Sequence, residues 1–300
     1  MLPSATNGAP SAAHPVPHTQ KSRTALAPKE TAMGEAGSAI QISALGRRFG
    51  DLVAVDRVSL SIAQSEIFGL IGSNGAGKST LIKMLTTLLP PSSGSARVAG
   101  FDIVDDAAEV RKHIGYVQQL LSADGSLTGF ENLLLSARLY AIPRSERAAR
   151  IAEALAAMNL TSDADRLVHH YSGGMIRELE IAQSMLHRPE VLLMDEPTVG
   201  LDPLARRAVH HRIRTLRDKY KMTMFIATHD MAEADELCDR IALMHRGRIE
   251  VVGSPAELKE QVGPGATLED VFQKFIGGGI EPGGGYREAR LARRSAGERG

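Results

Sequence analysis

Apolar runs with strand periodicity alternate with helical patterns along most of this chain. Near its start, AIQISALGRRFG and LVAVDRVSLSI alternate apolar and polar residues as strands do, and Gly50 and Asp51 form a turn between them. Three short continuous apolar runs predict buried strands: Glu66 to Ile71, Val191 to Asp195 and Met222 to Thr228. Because helical patterns separate these runs, we expect their strands to be parallel and covered on both faces.

Apolar spacing and capping residues predict the helices. The spacing predicts a helix over Ser79 to Leu89, which two following prolines would stop. Thr128 and Glu131 have the spacing of a capping box, which predicts a helix running toward Tyr140. Another helix opens at Asp230 with acidic residues in its first turn.

Composition divides the chain into three regions. Residues 1–38 are rich in Pro, Ala, Ser and Gly and predict a disordered leader, while residues 277–300 predict a flexible Gly- and Arg-rich tail. Residues 39–276 form the predicted ordered domain, and helical patterns dominate its residues from about 120 to 186. We therefore predict an α/β fold with a mostly parallel core sheet, an N-terminal antiparallel β-subdomain and a helical insert.

Charge and cysteine content narrow the possible functions. Lysine plus arginine and aspartate plus glutamate each number 35, so the net charge of zero argues against a general nucleic-acid binder. The single cysteine, Cys238, excludes an intrachain disulfide framework and suits a reducing compartment. No segment reaches the roughly 18 apolar residues that cross a bilayer. We therefore expect a soluble chain, and another polypeptide would have to span any membrane.

The segment GSNGAGKST matches the phosphate-binding pattern G-x-x-x-x-G-K-[ST] between a predicted strand and a predicted helix. Glycines let backbone N–H groups approach phosphate oxygens, Lys78 would reach the outer phosphates, and the Ser79 hydroxyl would bind Mg²⁺. The alternative is a plain glycine turn capped by Ser79, but such a turn needs no lysine. The candidate phosphate-binding residues are Gly72, Ser73, Asn74, Gly75, Ala76, Gly77, Lys78, Ser79 and Thr80.

Two acidic residues follow the apolar strand in VLLMDEP. Asp195 at the carboxyl end of that strand would hold Mg²⁺, and Glu196 beside it would polarise an attacking water as a general base. His229 follows the strand MTMFIAT at the same predicted sheet edge and is a candidate for contact with a γ-phosphate. The alternatives are a solvated Glu196 before a proline and a structural His229.

A second glycine-rich segment, YSGGM, also precedes a predicted helix. Ser172, Gly173 and Gly174 would form another anion cradle, although an ordinary glycine turn that caps a helix gives the same pattern. A single bound nucleotide does not readily explain a second phosphate-binding loop in addition to GSNGAGKST. The histidine pairs at 169–170 and 210–211 lack a cysteine or carboxylate at metal-ligand spacing, so we interpret them as surface or packing residues.

In their order, these motifs resemble one family, the nucleotide-binding subunits of ABC (ATP-binding cassette) transporters. The resemblance covers residues 39 to about 275 and implies the ABC ATPase fold, a P-loop NTPase that binds ATP and Mg²⁺. It also implies a dimer in which the YSGGM loop of one subunit closes on the γ-phosphate held by the other. In the same way, it assigns Phe49 to adenine stacking, Gln119 to sensing Mg²⁺ and touching the membrane partner, Asp202 to a loop that crosses the dimer, and His229 to the switch position. Taken alone, Phe49 is equally well explained by packing.

Three departures from the family pattern stand out. Tyr171 begins the YSGGM segment where the family most often has leucine, and Met175 ends it where the family often has glutamine. Gln118 occupies a position that often holds proline, which leaves Gln118 and Gln119 as alternative sensors. Ile176 and Glu178 replace basic residues, which could alter communication with the helical insert.

The resemblance implies an ATPase subunit that pairs with a second ATP-binding subunit, expected to be identical, and drives a polytopic membrane permease from the cytoplasmic face of the cell membrane. TVGLDP and TLEDVF resemble the daunorubicin-resistance-type exporter branch, which implies export of a drug-like or amphipathic compound. Two alternatives stay open: a non-transport ABC ATPase acting on a ribosome or nucleic acid, and a nucleotide-binding regulator without turnover. The net charge disfavours the first, and intact Glu196 and His229 disfavour the second.

Overall fold

The computed structural model describes residues 37–277. These residues form ten strands: β1 (Ser38–Phe49), β2 (Leu52–Ala63), β3 (Ile67–Ile71), β4 (Ser93–Val98), β5 (Phe101–Asp102), β6 (Ile114–Val117), β7 (Val191–Asp195), β8 (Thr223–Thr228), β9 (Arg240–His245) and β10 (Arg248–Gly253). They also form nine α-helices: α1 (Lys78–Leu85), α2 (Ala107–His113), α3 (Gly129–Leu139), α4 (Arg144–Ala157), α5 (Gly173–Met185), α6 (Pro203–Tyr220), α7 (Met231–Leu237), α8 (Pro255–Val262) and α9 (Leu268–Ile276). The predicted leader and tail lie almost wholly outside the described residues.

The N-terminal sheet is antiparallel, as predicted. Its strand order is β2-β1-β4-β5, and β1 pairs with both β2 and β4. The turn at Gly50 and Asp51 joins β1 to β2, so that Phe49 pairs with Leu52 at the tip of the hairpin. The hairpin therefore presents Phe49 at one end of this sheet.

The core sheet has the strand order β10-β9-β3-β8-β7-β6 and is parallel except for β10. Every residue of β3, β7 and β8 is buried. Alternate side chains enter opposite cores: Phe68 and Leu70 pack with the N-terminal sheet and α1, whereas Ile67 and Ile71 pack with the helices. Coverage of both faces explains why these strands are continuous apolar runs, and the predicted α/β fold is confirmed.

Helices α3, α4 and α5 follow one another in the chain between β6 and β7. The capping box of Thr128 and Glu131 is present at α3, because the Thr128 hydroxyl accepts from the Glu131 N–H group at 3.1 Å. Ile151 and Leu155 of α4 pack with Leu179 of α5 in a common apolar cluster. The limits of the helical insert at about 120 and 186 stay a prediction.

The predicted end of the first helix was wrong. The helix α1 ends at Leu85, four residues before the predicted Leu89 (89 − 85). The Thr86 hydroxyl donates to the Ile82 carbonyl at 2.9 Å, and Thr87 adopts a φ of +61°, which leaves the helical region. The helix therefore stops before the prolines reach it.

Candidate active site

The loop between β3 and α1 requires glycine at two positions for steric reasons. A Cβ atom at Gly72 would lie 2.4 Å from the Met244 carbonyl oxygen. A Cβ atom at Gly77, whose φ is +110°, would lie 2.4 Å from the Ala54 carbonyl oxygen. Neighbouring backbone therefore fixes the path of the phosphate-binding loop on both sides.

Lys78 places its charge at the centre of this loop. Its ammonium group donates to the carbonyl oxygens of Gly72 at 2.8 Å and Ser73 at 3.4 Å. It also lies 3.3 Å from Oε1 of Glu196, and both side chains are buried. The geometry thus joins the loop after β3 to the carboxylate after β7.

Glu196 connects Lys78 to His229. Its Oε2 atom lies 2.8 Å from His229 Nδ1 and accepts from the His229 backbone N–H group at 3.3 Å. Glu196 has a φ of +52°, a left-handed conformation that costs about 1–2 kcal/mol for a residue with a Cβ atom. Because β7 and β8 are parallel neighbours, their carboxyl ends bring Glu196 and His229 to one sheet edge, as predicted.

The side chains of Ser79 and Asp195 fit a Mg²⁺ ion. Burial raises the pKa of Asp195, and the hydrogen bond from the Ser79 side chain partly offsets that effect. The Oδ1 atom of Asp195 is buried and has no hydrogen-bond partner in the described part of the chain. A carboxylate oxygen with a free acceptor site beside a hydroxyl oxygen is the kind of oxygen ligand set that Mg²⁺ takes.

A cleft of about 610 Å³ opens at this sheet edge. It has a size typical of small-molecule sites. Phe49 is 45% exposed, and the Arg47 guanidinium carbon lies 4.7 Å from its ring centroid. The lining residues are Phe49, Leu52, Val53, Ala54, Asn74, Gly75, Ala76, Gly77, Lys78, Ser79, Thr80, Gln119, Glu196, Arg246 and Gly247.

Sequence reasoning missed the part of this lining that comes from the β9–β10 turn. The Gly247 N–H group donates to the Ala76 carbonyl at 2.9 Å and so holds the turn against the phosphate-binding loop. Arg246, with a φ of +46°, lines the cleft beside it. The signal was Gly247 between two strand-like segments, because glycine is frequent in tight turns.

Gln119 lines the cleft, whereas Gln118 lines a separate cavity of about 180 Å³. This placement favours Gln119 over Gln118 as the residue that senses Mg²⁺. Arg177 of α5 holds the loop, because its guanidinium donates to the carbonyl oxygens of Gln118 at 2.7 Å and Gln119 at 2.8 Å. Glu180 pairs with Arg177 at 2.9 Å and accepts from the Ser122 N–H group.

The contact of Arg177 and Glu180 with the loop carried no signal in the sequence, because their partners in that loop, Gln118, Gln119 and Ser122, lie 58 or 59 residues away. Glu178 is 3.6 Å from Arg212 on α6, so this departure from the family pattern ties α5 to α6. Burial raises the pKa of Glu178, and Arg212 partly offsets that rise.

The YSGGM segment lies at the start of α5 and not in the cleft. The Ser172 hydroxyl accepts from the Met175 N–H group at 3.2 Å and caps the helix. Ser172 and Gly173 are exposed, whereas Gly174 is buried. A Cβ atom at Gly174 would lie 2.8 Å from Ala205 Cβ on α6, so the close approach of the two helices requires a glycine there. Among the described residues, those that line the cleft include none of these three.

Two more residues from the sequence analysis make structural contacts: Asp202, a predicted site residue, and Tyr171, which departs from the family pattern. Asp202 is exposed and caps α6, because its carboxylate accepts from the N–H groups of Leu204 and Ala205. Tyr171 donates its hydroxyl hydrogen to the Asp163 carbonyl at 2.6 Å. The aromatic residue at the start of the YSGGM segment therefore anchors the chain before α5.

The histidine pairs differ in burial. His169 and His170 are exposed, as is His211, whereas His210 is buried between helices. In residues 37–277, no group of three or more His, Cys, Asp and Glu side chains has the arrangement of a metal site. The interpretation as surface and packing residues agrees with these positions.

Comparison with known proteins identifies relatives that match about three quarters of this chain. A family model described as ABC transporter matches residues 55–199. The daunorubicin/doxorubicin resistance ATP-binding protein DrrA of Streptomyces peucetius is 41% identical over 225 residues, which cover 75% of this chain and 68% of that protein. The linearmycin resistance ATP-binding protein LnrL of Bacillus subtilis is 36% identical over 230 residues, which cover 77% of this chain and 74% of that protein.

A longer relative and a solved structure extend the comparison. The probable multidrug ABC transporter ATP-binding protein YbhF of Escherichia coli is 38% identical over 241 residues, and the match spans only 41% of its length. A solved structure of an ATP-binding subunit of an ABC transporter superposes with a TM-score of 0.70 at 28% identity, covering 79% of this chain and 99% of that chain.

Proposed function

This chain belongs to the ABC transporter family of ATP-binding proteins, and on that premise we propose that it hydrolyses ATP to drive a separate membrane permease. The observation that supports hydrolysis best is the chain of contacts from Lys78 through Glu196 to His229 at one sheet edge. It joins a phosphate-binding cation, a carboxylate and an imidazole beside a cleft of nucleotide size.

Each group at the cleft has a proposed task. The loop from Gly72 to Thr80 binds the phosphates, and Lys78 compensates the charge that develops on the γ-phosphate. Ser79, Gln119 and Asp195 hold Mg²⁺, which when bound neutralises phosphate charge. Glu196 accepts a proton from the attacking water, and His229 orients Glu196 and contacts the γ-phosphate. Phe49 stacks on the adenine ring.

A second copy of the chain completes the site in this proposal. Ser172 and Gly173 are exposed at the N-terminus of the 13-residue helix α5, where backbone N–H groups favour an anion. They do not line the cleft of their own chain within the described residues. Asp202, also exposed, caps α6 and lies in the loop that the resemblance assigns to the dimer contact.

Exposed apolar side chains support a protein partner for the loop that carries Gln119. Leu120 is 78% exposed, Leu121 is 50% exposed, and Leu139 on α3 is 77% exposed. Apolar side chains of this size on a surface are typical of interaction sites when they cluster. We assign the membrane permease to this loop, because the exposed Leu120 and Leu121 directly follow Gln119 there. None of the described helices is long and apolar enough to cross a membrane.

The names of the relatives suggest the cargo. Relatives named for daunorubicin, doxorubicin and linearmycin resistance are 36–41% identical to this chain. We propose export of a drug-like or amphipathic compound, with the chain held peripherally at the cytoplasmic face of the cell membrane. Co-purification with a polytopic membrane protein supports this assignment, whereas ribosome or nucleic-acid association without such a protein would contradict it.

Substitution of Glu196 by glutamine tests hydrolysis. We expect Glu196→Gln to retain Mg-ATP binding, to lower the hydrolysis rate by about 100-fold or more, and to accumulate a dimer in ATP. Glu190→Gln is the matched control, because Glu190 lies before β7 at the opposite end of the same strand with 61% of its side chain exposed. Undiminished turnover in Glu196→Gln would refute the base assignment.

A further inference from the structure

A buried histidine outside the cleft contacts two carboxylates. His210 lies on α6, and 1% of its side chain is exposed. Its Nε2 atom lies 3.2 Å from Oε1 of Glu233, and its Nδ1 atom lies 3.3 Å from Oε2 of Glu236. Both glutamates belong to α7, so the imidazole ring bridges two helices.

These two contacts determine how many protons the ring carries. An ionised carboxylate only accepts hydrogen bonds, so each ring nitrogen must donate one. A neutral imidazole has one N–H group, whereas an imidazolium has two. The Glu233 side chain is 1% exposed, and in the described range His210 is its only ion-pair partner. A buried carboxylate that lacks a positively charged partner destabilises the fold by roughly several kcal/mol. The geometry therefore favours the imidazolium form of His210.

The other positively charged groups around this ring pair with carboxylates other than Glu233. The neighbouring ion pairs are Arg214 with Glu236, Arg206 with Asp230, and Arg212 with Glu178 of α5. Cys238 lies next to Glu233, and burial raises the pKa of its thiol, which stays neutral. None of these groups supplies the positive charge that Glu233 needs.

Glu233 connects the ring to two loops of the candidate active site. The Thr198 hydroxyl donates to the same Oε1 atom at 2.6 Å, and Thr198 lies in the loop between Glu196 and α6. The Glu233 N–H group donates to Asp230 at 3.1 Å, and Asp230 directly follows His229. A displacement of Glu233 would therefore move both the loop after Glu196 and the segment after His229.

We propose that His210, protonated on both ring nitrogens, is a positioning residue that joins α6 to Glu233 and holds the loop after Glu196 in place relative to His229. Its effect on catalysis rests on the proposed function, whereas its protonation and its bridge between helices do not. Loss of the proton leaves the buried Glu233 without a counter-charge and loosens both loops.

The first experiment measures protonation without nucleotide. NMR spectra of the full chain with ¹⁵N-labelled histidine, recorded from about pH 6 to about pH 9 to bracket ordinary histidine titration, report the protons on each ring. His210→Gln assigns the His210 signals, and His211→Gln controls for the exposed neighbour. We expect two protonated nitrogens at about pH 7; a ring with one protonated nitrogen at that pH would overturn the proposal.

The second experiment measures stability. We expect His210→Gln to lower Tm by about 4–8 °C at about pH 7, because the buried Glu233 then loses its ion-pair partner. Adding Glu233→Gln should restore part of the loss, while His211→Gln should match wild type. An equal loss of Tm in His210→Gln and in the double variant would show packing alone and contradict the bridge.

The third experiment connects the bridge to turnover. In the complex with its permease, we expect His210→Gln to lower kcat by about 10- to 100-fold and to leave KM for Mg-ATP within about threefold. Wild-type kcat in His210→Gln would overturn the positioning role. If wild-type protein hydrolyses no ATP while the NMR and Tm results hold, the proposed function fails and the bridge between the helices stands.

Discussion

Replacing Arg177 with methionine should destabilise the fold because it breaks a buried ion pair. The change removes the contacts to Glu180 at 2.9 Å and to the carbonyl oxygens of Gln118 and Gln119 at 2.7 and 2.8 Å. The side chains of Arg177 and Glu180 are 2% and 4% exposed, so Glu180 would stay buried with Ser122 as its remaining donor. Breaking such a pair costs about 3–5 kcal/mol.

Urea unfolding of the full chain measures this cost. We expect the free energy of unfolding of Arg177→Met to fall by about 3–5 kcal/mol with an unchanged m-value. In Arg177→Met/Glu180→Met the loss should be smaller than in Arg177→Met by about 2 kcal/mol or more, because no carboxylate is left unpaired. Arg212→Met is the control, since its pair with Glu178 is longer and more exposed. A loss below about 1 kcal/mol in Arg177→Met, or strict additivity in the double variant, would refute this reasoning.

Two further changes test the site. Asp195→Asn should raise Tm in the absence of nucleotide, because burial raises the pKa of Asp195 and so disfavours its ionised form in the folded state. The increase should be largest above the ordinary pKa of a carboxyl group, where the wild-type side chain must ionise. The same substitution should abolish the added stability that Mg-ATP gives, and calorimetry with and without Mg-ATP measures both effects. Gly77→Ala should lower the free energy of unfolding by about 1–3 kcal/mol, because Gly77 has a φ of +110° and a Cβ atom there would clash with Ala54. Gly50→Ala is the control and should lose less, because nothing lies within 4 Å of its Cβ position. Equal losses in urea unfolding would contradict the steric explanation.

Local patterns were sufficient for the elements that build the site. Continuous apolar runs predicted β3, β7 and β8, because strands covered on both faces need apolar residues throughout. The loop from Gly72 to Ser79 and the acidic pair after β7 followed from spacing alone. Since parallel strands share one carboxyl edge, the meeting of Glu196 and His229 was predictable as well.

Long-range contacts were beyond these patterns. The clamp of Arg177 on Gln119 and the contact of His210 with Glu233 join residues far apart in sequence, and each residue alone has an ordinary polar pattern. The strands β9 and β10 were not predicted, so their turn at Arg246 was missed as a wall of the cleft. The left-handed backbone of Glu196 also has no sequence signal, because only glycine and asparagine favour that conformation.

Mixing two inactive variants tests the shared site most directly. Lys78→Ala removes the phosphate-binding cation of the cleft, and Ser172→Arg blocks the exposed start of α5. If each site takes its cleft from one copy and its YSGGM segment from another, a mixed dimer has one site with both parts intact. Co-expressed variants should then recover roughly a quarter of wild-type ATP hydrolysis, because random pairing makes half of the dimers mixed and each has one intact site. A mixture as inactive as either variant alone would contradict the account.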